Sequence, residues 1–152
     1  MLIVAMIAGV VVLNMPPPRS SEKSEAEVFA ARLDAATELA IMTGSMFGLE
    51  VSPDGYVYYR YSQGEWGASG DYRLSSGVFP ADLAVEFTIT DPSRKNELID
   101  EKREEKEEDV PAPVVFITPT GETTPLTAEF TSQRAIISVT LDASGNVTME
   151  SK

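Results

Sequence analysis

The sequence contains no histidine and no cysteine. The chain therefore cannot offer imidazole or thiolate groups as metal ligands, and it has neither a cysteine nucleophile nor a histidine general base. These absences exclude most of the common hydrolytic sites, and they rule out disulfides in any redox compartment. No other pattern of catalytic residues stands out, so we expect a protein that is not an enzyme and has no cofactor.

Basic residues are also few. Twelve Lys and Arg residues stand against 24 Asp and Glu residues, which gives a formal net charge of −12 and an isoelectric point near 4.3. Such a chain repels nucleic acid and anionic lipid surfaces, and we expect no nucleic-acid partner. With 152 residues it is long enough for one globular domain and too short for two of ordinary size.

Long apolar stretches are scarce, and the clearest one covers residues 1–13, just before three prolines at 16–18. As a helix it would span about 20 Å, against roughly 30 Å for the hydrocarbon core of a bilayer. A signal peptide would begin with basic residues, but the first one here is Arg19. The pattern favours the C-terminal part of a membrane or filament helix whose first residues precede Met1. Its large apolar side chains are Leu2, Ile3, Val4, Ile7, Val10, Val11 and Leu13.

Residues 21–43 are predicted to form an amphipathic helix of about six turns. Ser21 and Ser24 are both suitable N-caps, acidic residues are frequent in the first turns, and Gly44 is suited to the C-cap. Apolar or small residues recur every three or four positions, which predicts one buried face. On that face we expect Phe29, Leu33, Ala36 and Ala40 to pack the helix onto a sheet.

From residue 46 to residue 150 the apolar period changes to two, which predicts about seven or eight antiparallel strands. Strands are predicted at 47–51, 56–61, 83–90, 114–117, 126–131, 136–141 and 146–149. Turn residues at 52–55 and 142–145 are expected to close two hairpins. Residues 64–67 are predicted to be a polar loop tip, and the densely charged residues 91–110 a solvated insertion.

Aromatic residues are the candidates for binding contacts. Four of them follow one another on a predicted strand, at Tyr56, Tyr58, Tyr59 and Tyr61. Such a pattern is more typical of core and cross-strand packing than of a platform for sugar or peptide. Trp66, on the predicted loop tip, is the better candidate for an exposed contact.

The order of these segments resembles a type IV pilin-like subunit, and more specifically the H-type minor pseudopilins of type II secretion, the GspH/FimT group. The stretches GLEVSPDGY, VVFITPTGETTPL and ISVTLDASGNV resemble that group's hairpin and its two later segments. The matching motif positions are Gly48, Asp54, Gly55, Tyr56, Phe116, Gly121 and Gly145. The resemblance implies an α+β, pilin-like fold, in which a long N-terminal helix packs on an antiparallel β-sheet or β-sandwich. It divides the chain into a membrane or filament helix at 1–18 and a periplasmic domain at 19–152.

By this resemblance the protein is a structural minor pseudopilin that acts near the tip of the type II secretion pseudopilus, in protein export across the outer membrane. The implied partners are other minor and major pseudopilins, with exoproteins or the secretin as further contacts. The implied location is the bacterial inner membrane, crossed once, with the globular domain in the periplasm. Members of the group have a basic leader and a methylated mature N-terminus with a nearby Glu, so we expect these features upstream of Met1.

Two other functions are compatible with the sequence. A minor pilin of a type IV pilus, of the FimT kind, has the same implied fold but different partners, and sometimes a role in DNA uptake that the net charge of −12 argues against. A membrane-anchored periplasmic ligand-binding β-domain would instead be preceded by an ordinary signal anchor.

Overall fold

The computed structural model describes residues 21–90 and 111–152. The segments predicted to form the apolar helix at 1–18 and the charged insertion at 91–110 lie outside the described residues. Within the described part, one α-helix packs on antiparallel strands that form two sheets. This arrangement confirms the predicted α+β fold class.

Helix α1 spans Ser21–Thr43, and Gly44 after it has a left-handed backbone with a φ of 62°. Glycine reaches this conformation without strain, which makes it the commonest residue just after a helix. The residues on one side of α1 that are buried and apolar are Ala26, Phe29, Leu33, Ala36, Leu39 and Ala40. The spacing of three and four therefore places one continuous side of the helix against the sheets.

The first sheet contains β1 (Phe47–Ser52), β2 (Gly55–Ser62), β3 (Glu65–Ala68), β4 (Gly77–Val78) and β6 (Val115–Ile117). The second contains β5 (Ala84–Ile89), β7 (Leu126–Thr131), β8 (Ile136–Leu141) and β9 (Val147–Ser151). The strand orders are β3-β2-β1-β6, with β4 also paired to β2, and β5-β7-β8-β9. A 3-10 helix at Tyr72–Leu74 lies in the connection between β3 and β4.

The hydrophobic core lies where α1 covers the sheets. Phe29 contacts residues from both sheets, with ring centroids 5.0 Å from Tyr56 and 5.8 Å from each of Phe87 and Phe130. Alternate residues of β7 are buried, which is the pattern of a sheet with one covered face. Helix and sheets therefore share a single core.

Two predictions about the strands were wrong. Residues 64–67 are not a loop tip, because Glu65–Ala68 form β3 and pair with β2. The turn before β3 is Gln63-Gly64, and both residues have a positive φ, as in a type I′ turn. Gln is not among the residues that usually begin this turn, which is why the sequence did not reveal it. With β3 and β4 the described part has nine strands instead of seven or eight.

Candidate functional site

The turn Pro53-Asp54 joins β1 to β2, and Gly55, directly after it, pairs with strand β4. A Cβ atom on Gly55 would lie 2.2 Å from the carbonyl oxygen of Gly77, so no side chain fits there. The carbonyl oxygen of Asp54 accepts a hydrogen bond from the N–H of Phe79 at 2.8 Å. The close approach of a second chain segment thus requires glycine at position 55, whereas Asp54 contacts that segment only through its backbone carbonyl.

Tyr56 connects this turn to the helix. Its hydroxyl accepts a hydrogen bond from Nη1 of Arg32 on α1 at 2.6 Å, and the guanidinium carbon of Arg32 lies 5.6 Å from the ring centroid. Burial raises the pKa of Tyr56, while the Arg32 charge opposes that rise. A Cβ atom on Gly77 would meet the Tyr56 ring at 2.4 Å, so this glycine makes room for the ring. The result is a joint between α1, β2 and β4.

A second joint lies further along α1, at Thr37. Gly121 and Gly145 have φ values of 88° and 82°, and a Cβ atom on Gly145 would lie 2.8 Å from the Thr37 side chain and 2.9 Å from the Gly121 carbonyl oxygen. The N–H of Thr123 donates a hydrogen bond to the carbonyl oxygen of Ala143 at 3.1 Å. Two loops, one before β7 and one between β8 and β9, are therefore tied together against α1.

The β8–β9 turn is closed by the carboxylate of Asp142. This carboxylate accepts hydrogen bonds from the backbone N–H groups of Ser144 at 2.8 Å and Asn146 at 3.0 Å, and from the side-chain amide of Asn146 at 3.0 Å. The Asn146 side-chain hydrogen bond, followed by these backbone hydrogen bonds, lowers the pKa of Asp142. The turn that presents Gly145 to the helix is therefore fixed locally.

Gly48 lies under an aromatic group on the outer face of the first sheet. A Cβ atom there would lie 2.6 Å from Pro113 and 2.9 Å from the Trp66 ring. Trp66 also packs against Tyr61 and Phe116, with centroids 5.1 Å and 5.9 Å apart. Trp66 is half-buried in this group, so the prediction of an exposed contact on a loop tip was wrong.

The four tyrosines of β2 divide between the two faces of the sheet. Tyr56 and Tyr58 face inward and are buried, whereas Tyr59 is half-buried and Tyr61 is exposed. Burial raises the pKa of Tyr58 well above its ordinary value. The Tyr58 hydroxyl has no hydrogen-bond partner among the described residues. Core packing thus accounts for the burial of both rings. The Tyr56 hydroxyl also has a hydrogen-bond partner, whereas the Tyr58 hydroxyl has none among the described residues.

The side of α1 that faces away from the core carries both apolar and acidic groups. Val28, Ala31 and Met42 are exposed, and the exposed carboxylates of Asp34 and Glu38 lie between Ala31 and Met42 along this side. Partial burial raises the pKa of Asp34. A helix face of this composition is suited to contact with other protein surfaces.

The predicted packing residues Phe29, Leu33, Ala36 and Ala40 are all 0% exposed. The motif positions fall into three groups, which are the two joints on α1 and the outer-face group around Gly48. The helix residues Leu2 to Leu13 lie outside the described residues. Sequence reasoning missed Arg32 and Gly77. Neither has a local signal, because the role of each depends on a partner far along the chain.

Two absences apply to residues 21–90 and 111–152. No group of three or more acidic residues in these ranges is placed to hold a metal ion. No helix in the same ranges is both long enough and apolar enough to cross a membrane.

No family model and no curated protein matches the chain, but solved structures do. The minor pseudopilin EpsH of the Vibrio cholerae type 2 secretion system superposes with a TM-score of 0.68 at 19% identity, over 87% of this chain and 98% of EpsH. GspH of E. coli superposes with a TM-score of 0.56 at 18% identity, over 90% of this chain and 96% of GspH. The type IV minor pilin FimU of Pseudomonas aeruginosa superposes with a TM-score of 0.54 at 13% identity, over 84% of this chain and 87% of FimU. The chain therefore has the pilin-like α+β fold that these minor pseudopilins and minor pilins share.

Proposed function

We propose that this protein is a structural minor pseudopilin of the GspH type, a subunit of a type II secretion pseudopilus and not an enzyme. The similarity to EpsH carries the proposal, because it extends over 98% of that chain with a TM-score of 0.68, against 0.54 for the pilus subunit FimU. The motif positions support it, since Gly55, Tyr56, Gly121 and Gly145 all lie at joints that hold α1 on the sheets.

In this proposal the apolar residues 1–13 belong to a helix that lies in the bacterial inner membrane before assembly and among neighbouring helices of the filament afterwards. Both surroundings favour apolar side chains over water. The domain at 19–152 then lies in the periplasm, near the filament tip, and the processed N-terminus is methylated. Its role is to help move exoproteins through the outer-membrane secretin.

The exposed side of α1 is the proposed contact surface for other minor and major pseudopilins. Its apolar residues Val28, Ala31 and Met42 gain from burial between subunits, and Asp34 and Glu38 favour partners that carry basic groups opposite them. A second copy of this chain would bring like charges together, so the proposed partners are other subunits.

Disulfide cross-linking tests this contact, because a chain without cysteine reports each introduced thiol without background. Ala31→Cys is made in the full chain in its own host, together with pseudopilins that carry one cysteine at the matching helix position. We expect a disulfide-linked heterodimer. The control is Gln133→Cys, on the exposed turn between β7 and β8. Equal cross-linking at both positions, or none at Ala31 with any pseudopilin, contradicts the proposed surface.

The genomic DNA upstream of the Met1 codon tests the membrane helix. We expect an in-frame basic leader, a Gly at the cleavage site, and an aromatic or Met residue followed by a Glu shortly before Met1. An in-frame stop codon without this motif would overturn the assembly function and favour the anchored ligand-binding domain.

A minor pilin of a type IV pilus is the second candidate, and the similarity to FimU favours it. Deleting the gene separates the two roles. Loss of exoprotein secretion with surface pili intact supports the pseudopilin, and loss of pili with secretion intact supports the pilin. The net charge of −12 argues against a DNA-binding pilin in either case.

A further inference from the structure

Among the described residues, Tyr72 is the most exposed of the large hydrophobic side chains, at 86%. It lies in the 3-10 helix Tyr72–Leu74, in the connection between β3 and β4. A single exposed aromatic ring is common on protein surfaces and does not by itself indicate a binding site. Two features set Tyr72 apart, which are the firm support of its backbone and its position beside the exposed side of α1.

The backbone around Tyr72 is held on both sides. The side chain of Asp71 caps the 3-10 helix by accepting a hydrogen bond from the N–H of Arg73 at 2.9 Å. The hydroxyl of Ser75 donates a hydrogen bond to the carbonyl oxygen of Tyr72 at 2.6 Å. Leu74 is 2% exposed and anchors the turn in the core. The 3-10 helix therefore presents the Tyr72 ring to solvent from a fixed position.

The charges on either side of Tyr72 are paired with each other. Nε and Nη2 of Arg73 donate hydrogen bonds to the Asp71 carboxylate at 3.1 Å and 3.0 Å. These hydrogen bonds lower the pKa of Asp71, so the pair is ionised and has no net charge at neutral pH. The Tyr72 ring can thus enter an apolar surface without bringing an uncompensated charge with it.

The 3-10 helix borders the side of α1 that is proposed to contact other subunits. It packs against α1, and Arg73 lies within electrostatic reach of Glu38 on that side. Nη1 of Arg32 donates a hydrogen bond to the carbonyl oxygen of Ser76 at 3.5 Å, which ties the following loop to the same helix. Tyr72 therefore adjoins the exposed side of α1 and extends its surface.

The composition of this surface indicates the kind of partner that fits it. Aromatic side chains, tyrosine among them, carry much of the binding energy of protein interfaces, and a backbone fixed in advance lowers the entropy cost of burying them. Asp34 and Glu38 give the neighbouring part of α1 a negative charge. A complementary partner surface thus has an apolar depression for the Tyr72 ring and basic groups beside it.

We propose that Tyr72 is an anchor residue of the subunit contact, and that its ring inserts into an apolar depression of the same pseudopilin that contacts the exposed side of α1. This inference rests on the proposed function and adds a second element, outside the helix, to the contact surface. The role of the 3-10 helix is to fix the position of the ring before the partner binds.

Photo-cross-linking of the full chain in its own host tests the contact. The residue p-benzoyl-phenylalanine, which links to nearby C–H groups under light, replaces Tyr72, and each pseudopilin carries its own epitope tag. We expect a cross-linked heterodimer with the pseudopilin that forms the disulfide with Ala31→Cys. The control is the same replacement at Thr148, on the exposed strand β9. Equal cross-linking at both positions, or none at position 72 with that pseudopilin, would overturn the inference.

Removal of the ring provides a quantitative test. Tyr72→Ala, made together with Ala31→Cys, is expected to slow formation of the disulfide-linked heterodimer by about fivefold or more, because the rate follows the population of the contact. The melting temperature should not change, since the ring is exposed. Tyr72→Phe keeps the ring and is expected to restore most of the rate.

Tyr61→Ala is the matched control, because it removes the same side chain from the outer face of the first sheet, away from α1. It should leave the rate of disulfide formation unchanged. An unchanged rate with Tyr72→Ala, or an equal loss with Tyr61→Ala, would contradict the anchor role. The Ala31→Cys disulfide would still form in the first case, so the proposed surface of α1 would survive the failure of this inference.

Discussion

At the scale of single residues, the hydrogen bond between Arg32 and Tyr56 makes a testable contribution to holding the helix on the first sheet. Tyr56→Phe keeps the ring in the core and removes the shorter of the two hydrogen bonds that Nη1 of the half-buried Arg32 donates, leaving the one to the carbonyl oxygen of Ser76 at 3.5 Å. We expect a loss of about 1–3 kcal/mol in the free energy of unfolding in urea. Tyr72→Phe removes the same atom from an exposed ring and should change stability by less than about 0.5 kcal/mol. Equal effects would mean that the bond contributes nothing.

Gly55 is the residue for which the close approach of another segment leaves the least room. In Gly55→Ala the new methyl group meets the Gly77 carbonyl oxygen, a backbone atom that cannot move away by rotating a side chain. We expect a loss of about 1–3 kcal/mol, measured by urea unfolding. Gly67→Ala is the matched control, since a Cβ atom there meets nothing within 4 Å. A neutral Gly55→Ala would show that β4 is not held against the turn.

The lowered pKa values of two carboxylates predict how the stability of the folded state depends on pH. The hydrogen bonds of Asn146 lower the pKa of Asp142 below 3.8, and the hydrogen bond of Lys152 lowers the pKa of Glu129 below 4.5. Their ionised forms thus stabilise the folded state at pH values above these ordinary pKa values, and this contribution is lost as the pH falls through the lower folded values. Asp142→Asn should flatten the dependence of the melting temperature on pH below about pH 4. An unchanged dependence would contradict the assigned role of the turn.

At the scale of the helix, the proposed register rests on which residues face the sheets. Leu33 is fully buried and Ala31, two positions earlier, is exposed. Leu33→Asp buries an unpaired charge at a cost of several kcal/mol, and we expect the domain to unfold, as seen by far-UV circular dichroism. Ala31→Asp adds the same charge on the other side and should leave the domain folded. An unchanged melting temperature for Leu33→Asp would contradict the helix register.

The elements that sequence reasoning predicted are those with a local signal. The helix has a continuous three-and-four spacing ending at Gly44, and the Pro53-Asp54 turn indicates the first hairpin. Strand β3 was missed because Gln63 is an unusual residue for its turn. The joints at Gly77 and Arg32 were missed because a close approach between distant segments leaves no local pattern.

At the scale of the whole molecule, the two joints determine where the helix is attached to the sheets. The turn at Gly55 fixes the middle of α1 through Arg32, and the loops at Gly121 and Gly145 fix its later turns through Thr37. The helix is thus attached at two points, to elements of two different sheets. In the proposed filament role, force applied along the helix would act on both sheets.

The net charge of −12 predicts a dependence of stability on salt. Repulsion among the acidic groups disfavours the compact state, and salt screens it, since the Debye length falls from about 30 Å at 0.01 M to about 10 Å at 0.1 M. We expect the melting temperature to rise by about 2–4 °C over this range of NaCl, which corresponds to about 1 kcal/mol for a chain of this size. Asp34→Asn combined with Glu38→Gln removes two charges from the exposed side of α1 and should reduce the rise. A melting temperature that falls with added NaCl would mean that ion pairs such as Lys152 with Glu129 outweigh the repulsion.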